Sequence, residues 1–140
     1  MEMKKRKIFV DSNVWCYYFD KGAKEHLKVA QFLERAIKCQ TIVINTVVVM
    51  EVAHFLIKNL GAKGKDKVDL FLSLPLRILD FNYEQALAAV NLLAKYSNAG
   101  IGGRDATLLA SMRTEKVNEI ITNDSAFTQV KGIKVINPIQ

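Results

Sequence analysis

Fourteen Asp and Glu residues are spread along the 140-residue chain. Most sit among lysines on helix faces, where Glu25 and Glu34 read as solvated charge, but four do not. Asp11 directly follows the apolar run Ile8-Phe9-Val10. That order puts a carboxylate at the carboxyl end of a buried strand, the edge at which open α/β sheets bind ligands. Asp124 comes three residues after Ile121 in Ile-Ile-Thr-Asn-Asp, just past another apolar strand. Glu51 lies early in a helix, flanked by Val47-Val48-Val49-Met50 and Val52-Ala53, with little polar surface nearby. Asp105 follows Gly100-Ile101-Gly102-Gly103-Arg104 near the start of a helix, whose amino end carries partial positive charge and favours an anion. Singly, each has an ordinary reading: Glu51, His54 and Lys58 fall at helical steps that suit a solvent stripe, and Asp105 suits a first-turn role.

Together the four acids read differently. Right-handed crossovers return each following strand in the same direction and bring these strand ends and helix starts to one edge of the sheet. Carboxylates within about 6 Å of one another repel and are most easily held by a divalent cation. Oxygen-only ligands select Mg²⁺ or Mn²⁺, and the absence of a nearby Cys or His set argues against zinc. Such a pocket suits phosphodiester hydrolysis, in which metal neutralises phosphate charge, lowers the pKa of a bound water and orients in-line attack. Asp11 and Asp105 are the expected metal ligands, with Glu51 and Asp124 completing the pocket and orienting the water.

Twenty Lys and Arg against fourteen acids give a net charge of +6 and a pI near 9.4, which favours an anionic partner such as nucleic acid. Arg104 and the lysines Lys63, Lys65 and Lys67 are candidates for holding flanking phosphates. These lysines fall where Gly61 and Gly64 end one helix, in a stretch that also reads as a plain solvated loop.

Other residues carry less. His26 and His54 are the only histidines, and without a positioned Ser or Cys they support no hydrolase triad. Cys16 and Cys39 make no disulfide framework and lack zinc spacing, so core thiols are expected. Trp15, Tyr17, Tyr18 and Phe19 could stack bases, but their helical spacing favours packing. Gly100-Ile101-Gly102-Gly103 follows no strand and lacks a nucleotide-loop lysine, so it reads as a hinge at a helix start. No apolar run approaches a membrane span. The basic start Lys4-Lys5-Arg6-Lys7 precedes only three apolar residues, far short of a signal peptide, so a cytoplasmic location is expected.

The elements that must position the acids follow from alternation of short apolar runs with segments of helical period, the signature of a parallel sheet covered by helices. The fold class is therefore α/β, with one domain over residues 1–140. Strands are expected at Ile8–Val10, Thr41–Ile44, Leu76–Leu79, Glu119–Ile121 and Lys134–Ile136. Helices are expected over Trp15–Phe19, over Lys24–Lys38 with Leu27, Ala30, Leu33 and Ile37 inward, from a cap at Asn45 or Thr46 to about Asn59, over Asn82–Ser97 with Ala86, Val90 and Leu93 inward, and from the glycines near 100–103 to Arg113.

At these residues the chain resembles the PIN-domain family, and its size suggests the VapC-type toxin ribonucleases within it. The blocks are Val10-Asp11-Ser12-Asn13, Thr46 through Glu51 to Val52, Gly103-Arg104-Asp105-Ala106-Thr107, and Thr122-Asn123-Asp124-Ser125-Ala126-Phe127. Many members carry a further acid where Ala126 stands here. The resemblance implies a three-layer α/β/α architecture with about five parallel strands, Mg²⁺ or Mn²⁺ held by the four acids, and supporting roles for Ser12, Asn13 and Thr122. It also implies endonucleolytic cleavage of RNA, a homodimer, and a small antitoxin protein that blocks the acidic groove. Two other readings stand beside it. One is a haloacid dehalogenase-like phosphatase with Asp11 as nucleophile, whose pattern wants an aspartate where Asn13 stands. The other is a non-catalytic module that binds RNA or protein.

Overall fold

The computed structural model describes residues 5–140, so Lys4 of the basic start lies outside the described residues. Five strands form one parallel sheet: β1 (Lys7–Val10), β2 (Thr41–Asn45), β3 (Leu76–Leu79), β4 (Glu119–Ile121) and β5 (Lys134–Ile136), in the order β3-β2-β1-β4-β5. Each falls within a residue of the apolar run that predicts it. Phe9 of β1 lies between Val43 of β2 and Ile120 of β4. Ile8, Phe9, Val10, Ile42, Val43, Ile44, Ile120 and Ile121 are essentially inaccessible to solvent, as expected of central parallel strands covered on both faces. The chain steps outward from β1 to β3 and then crosses back to place β4 on the other side of β1. The sheet therefore reverses its order between β1 and β4, the place where open α/β sheets form a crevice at their carboxyl ends.

Six helices flank the sheet as three layers: α1 (Ser12–Phe19), α2 (His26–Cys39), α3 (Thr46–Leu60), α4 (Ala62–Leu72), α5 (Tyr83–Tyr96) and α6 (Gly103–Glu115). Asn45 settles the start of α3, its Oδ1 accepting from the Val48 N–H at 3.0 Å as an N-cap. No helix among the described residues is long and apolar enough to cross a membrane.

The stretch read as a loop around Lys63, Lys65 and Lys67 is instead helix α4. Gly61, at φ 59°, does end α3, but Gly64 breaks nothing. It is there for close approach: a Cβ on Gly64 would lie 2.3 Å from the Leu56 carbonyl oxygen of α3. Gly64, Val68 and Phe71 are the buried residues of α4, a helical stripe that the glycine hides when it is taken as punctuation. Fully buried Phe71 packs 4.9 Å, centroid to centroid, from Trp15 and 5.9 Å from Phe19. Trp15 and Phe19 are thus core residues, as their spacing predicts. Burying a ring such as Phe71 is worth roughly 1.5–3 kcal/mol, enough to fold a segment of otherwise poor helical pattern.

Two helices match the expected stripe only in part: Leu33 of α2 is fully buried, and Ile37 and Leu93 pack partly buried against the core, but the other buried positions lie one residue over. In α2 the buried residues are Val29, Leu33 and Ala36, while Leu27 is exposed. In α5 they are Ala89 and Leu92, while Val90 is exposed. Both helices carry apolar residues on adjoining stripes, and packing against neighbours decides between them. Cys39 is also exposed rather than a core thiol, because it ends α2 where the core stops, and Cys16 is half-buried.

Candidate active site

The carboxyl ends of the central strands deliver the site. Asp11, immediately after β1, is fully buried and caps α1, its Oδ1 accepting from the Ser12 N–H at 2.7 Å. A carboxylate removed from water needs donors to replace it, and Asp11 has them. The Thr122 hydroxyl, at the end of β4, donates to Oδ2 at 2.7 Å. The Asn13 amide reaches Oδ2 and the Thr122 hydroxyl oxygen at 3.4 Å each. No buried side-chain nitrogen or oxygen among the described residues lacks a partner.

Three of the four singled-out acids converge, and they converge on a cation. Arg104, in the first turn of α6, places its Nε 2.9 Å from both Glu51 carboxylate oxygens and its Nη1 3.2 Å from Asp105 Oδ1. Its Nη2 donates to Asp11 Oδ1 and, at 2.6 Å, to the Ser12 hydroxyl. Asp105 also accepts from the Gly102 N–H through Oδ2 at 3.3 Å, which pins the start of α6. Burial by itself would lower the Arg104 pKa, but the hydrogen bonds and charges of Asp11 and Glu51 outweigh it and raise the value above that of an ordinary arginine. One guanidinium faces three carboxylates, a formal excess of two negative charges at one edge of the sheet.

Asp124 stands beside this group rather than in it. Its Oδ1 accepts from the Ala126 N–H at 2.9 Å and caps the short 3-10 turn Ser125–Gln129. Its own N–H donates to the Thr122 hydroxyl oxygen at 3.0 Å, so one threonine joins Asp124 to Asp11. Lys63 and Lys65 are exposed on α4, where Lys65 pairs with Asp69 at 2.6 Å.

The donor set suits a hard divalent cation, being carboxylate oxygen throughout, and the acids already surround a positive charge. With the guanidinium between them, no three His, Cys, Asp or Glu side chains among the described residues are gathered closely enough to hold an ion. Nearby Cys16 offers no nucleophile: burial first, then the charges of Glu51 and Asp11, push its thiol up to about 12, so it stays protonated at neutral pH.

From the sequence Arg104 is a candidate phosphate contact, and its place among the acids is not predicted. The available signal was its position next to Asp105 on a helix start. Asn45 is predicted from the sequence only as a cap. Fully buried, it also donates through Nδ2 to the Ser111 hydroxyl at 2.9 Å and the Thr107 carbonyl at 3.2 Å. It thereby ties α3, which carries Glu51, to α6, which carries Arg104 and Asp105. An amide at the end of the apolar run Thr41–Asn45 was the trace it left.

Comparison with known proteins places the fold. The family model described as PIN domain matches residues 8–133. The chain belongs to the PIN-domain family. A relative of this PIN domain, the ribonuclease VapC2 of Methanocaldococcus jannaschii, is 27% identical over an alignment 150 positions long that covers 97% of each chain. Among solved structures, VapBC2 of Rickettsia felis, bound to a DNA fragment from its promoter, superposes with a TM-score of 0.74 at 23% identity, covering 94% of this chain and 98% of the other. VapC20 of Mycobacterium tuberculosis, a sarcin-ricin loop cleaving toxin, superposes with a TM-score of 0.75 at 20% identity, covering 86% of this PIN domain and 92% of its own chain.

Proposed function

We propose that the protein is a divalent-metal-dependent endoribonuclease, the toxin of a toxin–antitoxin pair. The observation that carries this reading is the convergence of Asp11, Glu51 and Asp105, from three separate elements, on a single cation at the reversal point of the sheet. A full-length relative named as a ribonuclease and structural neighbours from VapBC complexes support the substrate class and the antitoxin partner.

Asp11, Glu51 and Asp105 would hold Mg²⁺ or Mn²⁺, with Asp124 at the margin of the pocket. The ion supplies neutralisation of phosphate charge and an activated water. The chain's own residues do the positioning. Ser12, Asn13 and Thr122 fix both oxygens of Asp11 and leave its outward direction towards Arg104. Asn45 holds the helices of Glu51 and Asp105 in register. Among the described residues no histidine hydrogen-bonds to these acids, so the leaving oxygen would take its proton from solvent. Tyr83, Leu87 and Val90, all exposed along one stripe of α5, support a homodimer, since monomers seldom leave such a stripe uncovered.

The phosphatase alternative wants a second aspartate as general acid where Asn13 stands, and Asn13 instead donates its amide to Asp11 Oδ2. The experiment is cleavage of RNA by the purified protein with and without chelator, beside Asp11→Asn. Cleavage should cease with chelator and fall by more than ~100-fold in the variant, since even a residue that only orients a ligand is worth 10–100-fold. Undiminished cleavage by Asp11→Asn would remove the mechanism.

A further inference from the structure

The guanidinium of Arg104 lies among the acids that would hold a metal, and the acceptor directions of Asp11 are nearly used up. Asp11 Oδ1 takes the Ser12 N–H and Arg104 Nη2, and Oδ2 takes the Thr122 hydroxyl and the Asn13 amide. A carboxylate offers roughly four acceptor directions, so a cation can reach Asp11 only along the direction that Arg104 now uses. Glu51 is less constrained: both of its oxygens share the Arg104 Nε–H, but its side chain is 35% exposed and keeps acceptor directions open to solvent.

We propose that Arg104 and the divalent cation are alternative occupants of one position. On this proposal, which rests on the metal-dependent reading above, metal binding displaces the guanidinium from Asp11 and Glu51 and frees it to meet the substrate phosphate. Without metal, Arg104 keeps three mutually repelling carboxylates assembled. Its side chain is 31% exposed, so it borders solvent and can swing outward without unpacking the core. Its planar fork matches phosphate oxygens two at a time. Arg104 is then a positioning residue in the metal-free protein and a substrate contact in the loaded one.

A static brace would behave oppositely, because removing it would scatter the ligands and weaken metal binding. The test is Arg104→Gln, with Mn²⁺ affinity read from the electron paramagnetic resonance signal of free Mn²⁺. Mn²⁺ should bind the variant at least ~10-fold more tightly than wild type, a modest share of what removing a unit positive charge about 4 Å away can yield. Metal-free Arg104→Gln should melt below wild type and gain more from added Mn²⁺. Unchanged or weaker affinity overturns the proposal and leaves the metal reading intact, whereas no Mn²⁺ binding by either protein overturns both. Wild type gives an independent readout should the variant misfold: the Nε–H resonance of Arg104 should change environment once Mg²⁺ saturates the shift of the Asp105 amide. A resonance that stays in place at saturation overturns the proposal.

Discussion

At the scale of single residues, Asp11 shows how a carboxylate is kept in a dry place. Its N-terminal capping geometry, the Thr122 hydroxyl and the Asn13 amide replace the water it has lost, and Arg104 provides the countercharge. Thr122 is the sharpest probe of that arrangement, because it is fully buried and valine has nearly its shape. Thr122→Val should cost about 1–3 kcal/mol in urea unfolding, the penalty for leaving a buried acceptor unmatched. It should also lower RNA cleavage by roughly 10–100-fold through a misdirected Asp11. Full activity in that variant would show that the hydroxyl does not orient the carboxylate.

At the scale of elements, the α3–α4 pair determines where Glu51 stands. Gly64 lets α4 approach the backbone of α3, and Phe71 then closes over Trp15 and Phe19. Gly64→Ala should destabilise the protein by about 1–3 kcal/mol, as overpacking does. Alanine is the better helix former, yet its added carbon meets a carbonyl and an α-carbon of the main chain, which have little room to yield. A chemical denaturation midpoint equal to or above that of wild type would contradict the close approach. The same pair explains an uneven legibility. The strands could be read because β-branched apolar runs have few other uses, whereas α4 could not, because glycine marks both a break and a contact and only the opposing backbone tells them apart.

At the scale of the whole molecule, charge is sorted between the two ends of the sheet. The acids around Arg104 occupy the carboxyl edge, while Glu115 and Glu119 meet Arg77, Lys7, Arg6 and Lys134 towards the amino edge. Arg77, with Lys7 assisting, holds the Glu115 carboxyl below its ordinary value of 4.5 against the opposing effect of burial. A depressed folded-state value means that the pairing stabilises fully above the unfolded value and is lost as pH falls through the folded one. Arg77→Gln should therefore lower stability at neutral pH, and the difference from wild type should shrink once Glu115 is protonated. Urea unfolding at neutral pH and well below the carboxylate range checks this, and an equal cost at both would refute it.

The chain alone determined the class of fold and singled out Asp11, Glu51 and Asp105, which the tertiary structure gathers around one cation, because hydrophobic period and a carboxylate placed just after an apolar run or at a helix start are local facts. It did not determine which stripe of α2 or α5 turns inward, since neighbouring stripes are similarly apolar and only packing chooses between them. Nor did it determine that Arg104 would lie inside the ring of acids while Asp124 turned to cap its own loop. Those outcomes depend on where charged groups from distant segments come to rest. Electrostatic partnership is decided by distance and burial in three dimensions, which spacing along the chain does not encode.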